Sequence, residues 1–245
     1  LDVTFDCYPY QYGGTRLLVM FPDWLHDGGP EMAMQRLASE DARERLRGEV
    51  GIFNLGWDQM WLTYFKKPHN KKYEGRSMAA VAEAMGMDEV DAICDLLLDE
   101  DLALCSVNLG GNPMNIREFF KHPAHMVGSD GLLTGGHPNP RSYGTFPYLL
   151  GQFVREESLL GLEEAVRKMS AIPAQRLGLA DRGILRDGMK ADLVLFDPER
   201  VAAGATFEDP KQYPEGIDYV IVNGVIVIEN GVHTGALPGR ALRSQ

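Results

Sequence analysis

Three cysteines in 245 residues, Cys7, Cys94 and Cys105, are too few and too odd in number for a disulfide framework. None stands in a CxxC pair, which excludes a zinc finger, and a reduced, cytoplasmic setting is the expectation. Histidine is sparse too: six residues, with no HxH and no HExxH, so the chain cannot assemble a conventional His-rich zinc site by itself. No apolar run approaches the roughly 18 residues of a membrane span, and the longest, Val220–Val222 and Val225–Ile228, are separated by Asn-Gly. A basic-then-apolar leader is missing from the first residues. Lys and Arg number 24 against 35 Asp and Glu, and the resulting charge of −11 predicts a surface that repels nucleic acid and anionic membranes. The glycine pairs at 13–14, 110–111 and 135–136 fit neither GxGxxG nor GxxxxGK[ST], so phosphate cradling is not expected.

What is present suits a globular protein. With 44% hydrophobic and 24% charged residues the chain can bury a core as one large domain or two small ones. It starts at Leu1, inside what reads as a strand, and the expectation is that it forms the later part of a longer protein. That strand, Leu1 to Phe5, alternates apolar and polar residues and runs into the turn-forming Cys7-Tyr-Pro-Tyr10. Helices are expected at Glu31–Leu37 and at Ser39–Leu46, with Ser39 as N-cap. Ile52–Phe65 reads as strand and loop, and the basic stretch Lys66–Lys72 as a solvated loop. Met78–Met85, stopped by Gly86, and Val90–Leu98, started at Asp88, read as two short helices.

Leu102–Val107, Asn115–Lys121 and His125–Val127 follow as strand, helix and strand, the order of an α/β unit with a parallel sheet. Leu132–Ser142 is turn chemistry throughout, a long loop of the kind that carries sites. Phe146–Glu156, Gly161–Met169 and Pro173–Leu177 read as helices. Beyond a boundary near Leu179 the texture becomes all-β: a strand at Asp192–Phe196 and a hairpin of Tyr219–Val222 and Val225–Ile228 around Asn223-Gly224.

Asp130 falls at the C-terminal end of a predicted parallel strand, where α/β proteins place catalytic groups, and glycines flank it. An Asx-turn that merely ends the strand explains it equally well on spacing alone. Arg141, in the loop His137-Pro-Asn-Pro-Arg141, is either a carboxylate clamp or a surface arginine. Tyr8 and Tyr10 bracket Pro9 at a strand end, and each phenol is either a substrate contact or core packing. His122 and His125 sit near the start of their strand, far from Asp130, and read as structural. His137 is better placed but alone, and His26, His69 and His233 read as solvated. No nearby histidine supports Cys7 as a nucleophile.

Several stretches together resemble one family. Asp6-Cys-Tyr-Pro-Tyr10, Gly128-Ser-Asp-Gly131, Pro140-Arg141 with Tyr143-Gly-Thr-Phe-Pro147, Glu163 to Met169, Pro173-Ala174, Arg182-Gly183, Gly188 to Asp192 and Val222-Asn-Gly224 occur in the order seen in D-aminoacylases. These are the N-acyl-D-amino-acid deacylases of the amidohydrolase superfamily. The Gly128–Pro147 block is the specific part, whereas Lys190-Ala-Asp192 and Val222-Asn-Gly224 recur across amidohydrolases.

The resemblance implies an α/β fold: the C-terminal part of a metal-dependent (β/α)₈ barrel over residues 1–178, with an inserted lid at about 24–101, and part of a small β-sandwich over 179–245. Asp2–Asp6 would be the seventh barrel strand and His125–Gly128 the eighth, with the family's HxH, its metal-binding Cys and its two later histidines upstream of Leu1. It also implies zinc as cofactor and a small N-acyl-D-amino acid as substrate, cleaved at its amide by a zinc-activated water. Asp130 would move the proton and touch the metal. Arg141 would bind the substrate α-carboxylate with Tyr8 or Tyr10 assisting, and Arg16 would meet an acidic side chain. Asn139 departs from the His that many members place before Pro-Arg, and Leu133-Thr-Gly-Gly136 departs from the usual loop. A cyclic-amide hydrolase of the dihydroorotase or hydantoinase kind, and a non-catalytic module lacking the upstream metal ligands, are the alternatives.

Overall fold

The computed structural model describes residues 1–49 and 56–242. The elements in chain order are β1 (Phe5–Cys7), β2 (Tyr12–Arg16), α1 (Asp23–His26), α2 (Pro30–Leu37), α3 (Glu40–Gly48), β3 (Met60–Tyr64), β4 (Arg76–Ser77), α4 (Met78–Met85), α5 (Glu89–Asp99), β5 (Cys105–Leu109), α6 (Pro113–Lys121) and β6 (His125–Val127). Then come α7 (Arg141–Tyr148), α8 (Leu162–Val166), α9 (Ile172–Arg176), β7 (Leu193–Phe196), β8 (Ile217–Val222), β9 (Val225–Glu229) and β10 (Val232–His233). They fall into two compact units. One comprises Leu1–Tyr10, Asn112–Gly131 and Pro140–Gln245, and the other Gln11–Gly111 with Leu132–Asn139.

In the first unit β1 and β6 run parallel, with Phe5 opposite His125 and Cys7 opposite Val127. Helix α6 starts where the Asn112 side chain accepts the Met114 amide at 2.9 Å. It buries Ile116 and Phe120, one turn apart, against Val127, Leu149, Leu150 and Phe153. Pro147 inside α7 offers no N–H to the preceding turn, and the helix continues through Leu149–Glu156 in wider i→i+5 turns. Lys168 is fully buried, and its ammonium donates to the carbonyls of His122 at 2.5 Å and His125 at 3.3 Å, pinning the chain where it enters β6. The tail forms an antiparallel sheet in the order β10-β9-β8-β7. Its Asn223-Gly224 turn has φ of 49° and 79°, the positive pair that matches strand twist in a two-residue hairpin.

The second unit is an antiparallel sheet, β2-β5-β3-β4, packed against helices through Leu17, Leu25, Leu37, Met60, Leu62, Phe65, Met78, Ile93 and Leu97. Asp88 caps α5 and Gly86 ends α4 in the left-handed region, as the sequence predicts, and Ser77 caps α4. Arg43 reaches Asp91 and Asp95, and Arg47 reaches Asp88 and Asp91, tying α3 to α5. The buried Glu100 carboxylate accepts the amides of Lys66 at 2.5 Å and Lys67 at 3.0 Å, and the Asn70 side chain at 2.6 Å.

Several expectations change. The strand–helix–strand segment is not a βαβ unit: β5 pairs antiparallel with β2 and β3, while β6 takes β1 as its parallel neighbour. Gly110 and Gly111 both donate to the Gln11 carbonyl, at 3.1 and 2.8 Å, closing the end of the β2–β5 pair before the chain moves on to α6. Strand β5 starts at Cys105 rather than Leu102, because Asp101 and Leu102 both have positive φ. Strand β1 is Phe5–Cys7, later than Leu1–Phe5 and continuing through Cys7. Lys66–Lys72 is not a plain solvated loop: Pro68–Tyr73 winds into tight turns that bury Asn70 and Tyr73. Ser39 stands at the N-cap of α3 without a side-chain cap bond. In the expected strand and loop of Ile52–Phe65, residues 52–55 lie outside the described ones. The chain passes between the two units near residues 10, 111, 131 and 139, and among the described residues only strands follow α9. Among the described residues no helix is long and apolar enough to cross a membrane.

Candidate active site at the end of the parallel strands

Strand β6 delivers its chain to Gly128, whose amide donates to the Cys7 carbonyl at 3.3 Å and extends the parallel pairing. The bare Cα of Gly128 leaves room for the Asp6 carboxylate, which a side chain there would overlap. The turn that follows is held by Ser129, whose hydroxyl accepts the Gly131 amide at 3.3 Å. Asp130 itself adopts φ 43°, a left-handed conformation that Asp tolerates at a cost of roughly 1–2 kcal/mol. Gly131 then packs so closely on helix α7 that a methyl on it would sit 3.1 Å from Ser142 Cα. The turn is thereby pressed against the helix start.

Arg141 is the first residue of α7, not part of the preceding loop as its sequence context suggests. Its Nη2 donates to Asp130 Oδ2 at 2.7 Å; the arginine side chain is 2% exposed and the aspartate 64%. The guanidinium carbon lies 4.3 Å from the centre of the Tyr8 ring, a cation–π contact. Asp130, Arg141 and Tyr8 therefore come together within the first unit. The turn bond made by Ser129 leaves the Asp130 carboxylate to act on Arg141 rather than on its own backbone.

Tyr10 stands apart. Its ring packs 4.9 Å from that of Tyr148, and its hydroxyl, expected on a substrate oxygen, is instead buried beside Gly144 with no hydrogen-bond partner. Burial pushes its pKa well above the ordinary phenol value, with Tyr148 adding to the shift, so it stays a neutral hydroxyl.

Cys7 does have a histidine at hand, one that sequence separation hides. His125 Nε2 lies 3.3 Å from its sulfur across 118 residues. Their shifts run against a thiolate–imidazolium pair. Burial raises the thiol to about 11, and burial together with Lys168 lowers His125 to about 4, so neither is charged near neutrality. His125 is fully buried among Phe5 and Phe120 and acts as a core residue. His69 is exposed, as expected, and also pairs with Asp99 at 2.6 Å. In the second unit, Asn139 donates from its buried side chain to the Tyr12 carbonyl at 2.9 Å, a fastening role that sequence reading missed. Arg16 ends β2 exposed, with no carboxylate partner among the described residues.

Among the described residues no three His, Cys, Asp or Glu side chains gather where one ion could be held. Asp130 fits a single ligand position: its carboxylate is exposed and only one of its oxygens is committed to Arg141.

Polar groups gathered at the carboxyl end of a parallel strand pair, with helices packed behind, define an α/β protein of the kind that builds its sites at strand ends. The chain belongs to the Amidohydrolase family, whose pattern matches residues 58–228. It is 43% identical over 167 residues to an N-acyl-D-aspartate deacylase of Alcaligenes xylosoxydans xylosoxydans, covering 65% of this chain and 33% of that protein. To the N-acyl-D-glutamate deacylase of the same organism it is 41% identical over 246 residues, covering 99% of this chain and 42% of the relative. Among solved structures it resembles the N-acyl-D-glutamate deacylase of Bordetella bronchiseptica complexed with zinc and a phosphonate inhibitor. That match has a TM-score of 0.71 and 32% identity, and covers 91% of this chain and 39% of the other. The chain thus spans between a third and about two fifths of the length of these relatives.

Proposed function

We propose that this chain supplies the carboxylate-binding and proton-handling part of a zinc-dependent N-acyl-D-amino-acid deacylase. The Asp130–Arg141 pair carries the reading: a permanently charged guanidinium, withdrawn from solvent and resting on Tyr8, faces a carboxylate that stays exposed. A substrate α-carboxylate offers Arg141 the same kind of acceptor that Asp130 offers. On arrival it takes the place of Asp130 on the fork. The released Asp130 accepts a proton from the attacking water and passes it to the leaving amino nitrogen. Zinc, when bound, lowers the pKa of such a water and polarises the acyl oxygen. Asp130 is the group of this chain assigned to one ligand position, and the reading takes the other ligands from elsewhere in the whole protein.

The relatives' names support this substrate class, and two of them specify acidic N-acyl-D-amino acids. In architecture, β1 and β6 are read as the seventh and eighth strands of a (β/α)₈ barrel, residues 24–101 as a lid and 179–245 as part of a β-sandwich.

The test is an assay of the whole protein carrying this chain on N-acetyl-D- and N-acetyl-L-amino acids, before and after chelation. Release of the D-amino acid alone, lost on chelation, restored by zinc and absent in Asp130→Ala, is expected. Turnover that survives the chelator, or full activity in Asp130→Ala, overturns the mechanism. Hydrolysis of hydantoins in place of acyl-D-amino acids would assign the site to cyclic amides.

A further inference from the structure

Two features of helix α7 run against ordinary preference. Gly144, one turn after Arg141, stands in a helix interior where alanine is the better residue. Beside it lies a tyrosine hydroxyl that is buried yet makes no hydrogen bond, where phenylalanine would avoid the desolvation cost. The two explain one another. A methyl at Gly144 would overlap the Tyr10 hydroxyl and would also sit 3.2 Å from Ala203 Cβ and 3.6 Å from Ala205 Cβ. The hydroxyl therefore fills the notch that the missing side chain leaves, between the end of β1 and the face of α7.

Tyr10 is covalently tied to Tyr8 through the buried Pro9, and Tyr8 carries the Arg141 guanidinium on its ring. The first turn of α7 is fixed as one piece: the Gly144 amide donates to the Pro140 carbonyl at 2.9 Å, and the Thr145 hydroxyl to the Arg141 carbonyl at 2.8 Å. A shift of α7 at Gly144 is thus a shift of Arg141 relative to Tyr8.

We infer that Tyr10 and Gly144 are positioning residues for Arg141: the Tyr10 hydroxyl is a spacer, seated in the Gly144 notch, that sets how far helix α7 stands from the strand end. This rests on the reading of Arg141 as the carboxylate site. The spacer acts by volume, not by hydrogen bonding, so the two residues should be exchangeable as a pair.

The experiment is a double-mutant cycle of Tyr10→Phe and Gly144→Ala in the whole protein, with Arg141→Lys as control. KM and kcat are measured on an N-acetyl-D-amino acid and on its α-carboxamide, and thermal unfolding is recorded for each variant. Each single change should raise KM for the carboxylate substrate by about tenfold, the scale of misplacing one charge-assisted bond. The carboxamide values and kcat should change little, and Tyr10→Phe should unfold no earlier than the wild type. The double variant, in which the new methyl fills the space of the lost oxygen, should return to within about threefold of wild-type KM. Additive effects, or equal losses on carboxylate and carboxamide, would overturn the inference. If Gly144→Ala fails to fold, Tyr10→Phe decides by the same split of KM from kcat. Should the wild type itself not distinguish carboxylate from carboxamide, both this inference and the Arg141 reading fall. If Arg141→Lys abolishes that distinction while the cycle is additive, only the spacer fails.

Discussion

Asp130 and Arg141 meet at 2.7 Å from opposite environments: the guanidinium is withdrawn from water and the carboxylate stands in it. A buried cation without a partner is costly, and Asp130 is an anion that Arg141 holds in this structure. The exposed partner is the one that can leave. On the proposed function, this asymmetry would make substrate binding an exchange of carboxylates on a fixed cation.

Exchange predicts rescue by a small anion. A truncated substrate, an N-acyl amine without its carboxylate, should turn over poorly because Asp130 stays on Arg141. Added acetate should raise its rate saturably in the wild type and leave Arg141→Met unmoved. Rates of the truncated substrate measured across an acetate series at constant ionic strength check this, and a flat series contradicts exchange. With the intact substrate, Arg141→Met should lose about 1.5–3 kcal/mol of binding, the range for a hydrogen bond to a charged group.

Tyr8 should matter through its ring face and not through its hydroxyl. Tyr8→Phe keeps the surface beneath Arg141 and should keep carboxylate KM, whereas Tyr8→Leu should lose about 0.5–2 kcal/mol, the value of a cation–π contact. Steady-state KM values for the two variants decide. A Phe variant as weak as the Leu variant would assign the work to the phenol oxygen.

Stability should fall in mild acid because of His125. Folded, it titrates near 4, pushed down first by burial and then by Lys168; unfolded, it titrates near 6.5. Between those values the unfolded chain binds the extra proton, so stability is complete above about pH 6.5 and declines as pH falls towards 4. The loss is at most about 3 kcal/mol at 1.36 kcal/mol per unit. Urea unfolding at pH 7 and pH 4.5 should show a smaller difference in His125→Leu than in wild type, and an equal difference would remove His125 as the cause.

Arg182 should govern stability without touching catalysis. It pairs with Asp192 and donates to Asn223 Oδ1 at 2.7 Å, while Asp192 Oδ1 accepts the Asn223 amide at 2.7 Å. Arg182→Ala should lower the unfolding midpoint and leave kcat and KM near wild type. A loss of kcat at unchanged stability would contradict a purely structural tie.

That tie also explains what was legible. Asp192 and Asn223 lie in the two motifs that the resemblance marks as the less discriminating ones, and with Arg182 they hold one hairpin to the chain before it. Their contacts are structural, whereas the Gly128–Pro147 stretch holds the Asp130–Arg141 pair. Local signals read well: Gly86, Asp88 and Asn223-Gly224 do what their backbone preferences dictate. Pairing did not, because the choice of β1 over β5 as partner of β6 is made by contacts across more than a hundred residues. For the same reason the Cys7–His125 contact, the Asn139 fastening and the Gly144 notch were invisible, and Arg141 read as loop although a helix starts on it. Tyr8 and Tyr10, two residues apart and alike in sequence, turn out to face different neighbours.

The ratio of kcat/KM for an N-acyl-D-amino acid over its α-carboxamide, in zinc-loaded wild type and in Arg141→Met, tests the central claim most directly. The claim predicts a large ratio in the wild type, about tenfold or more for a lost charge-assisted bond, that collapses towards one in the variant. A wild-type ratio near one, or a ratio that survives the loss of Arg141, would contradict it.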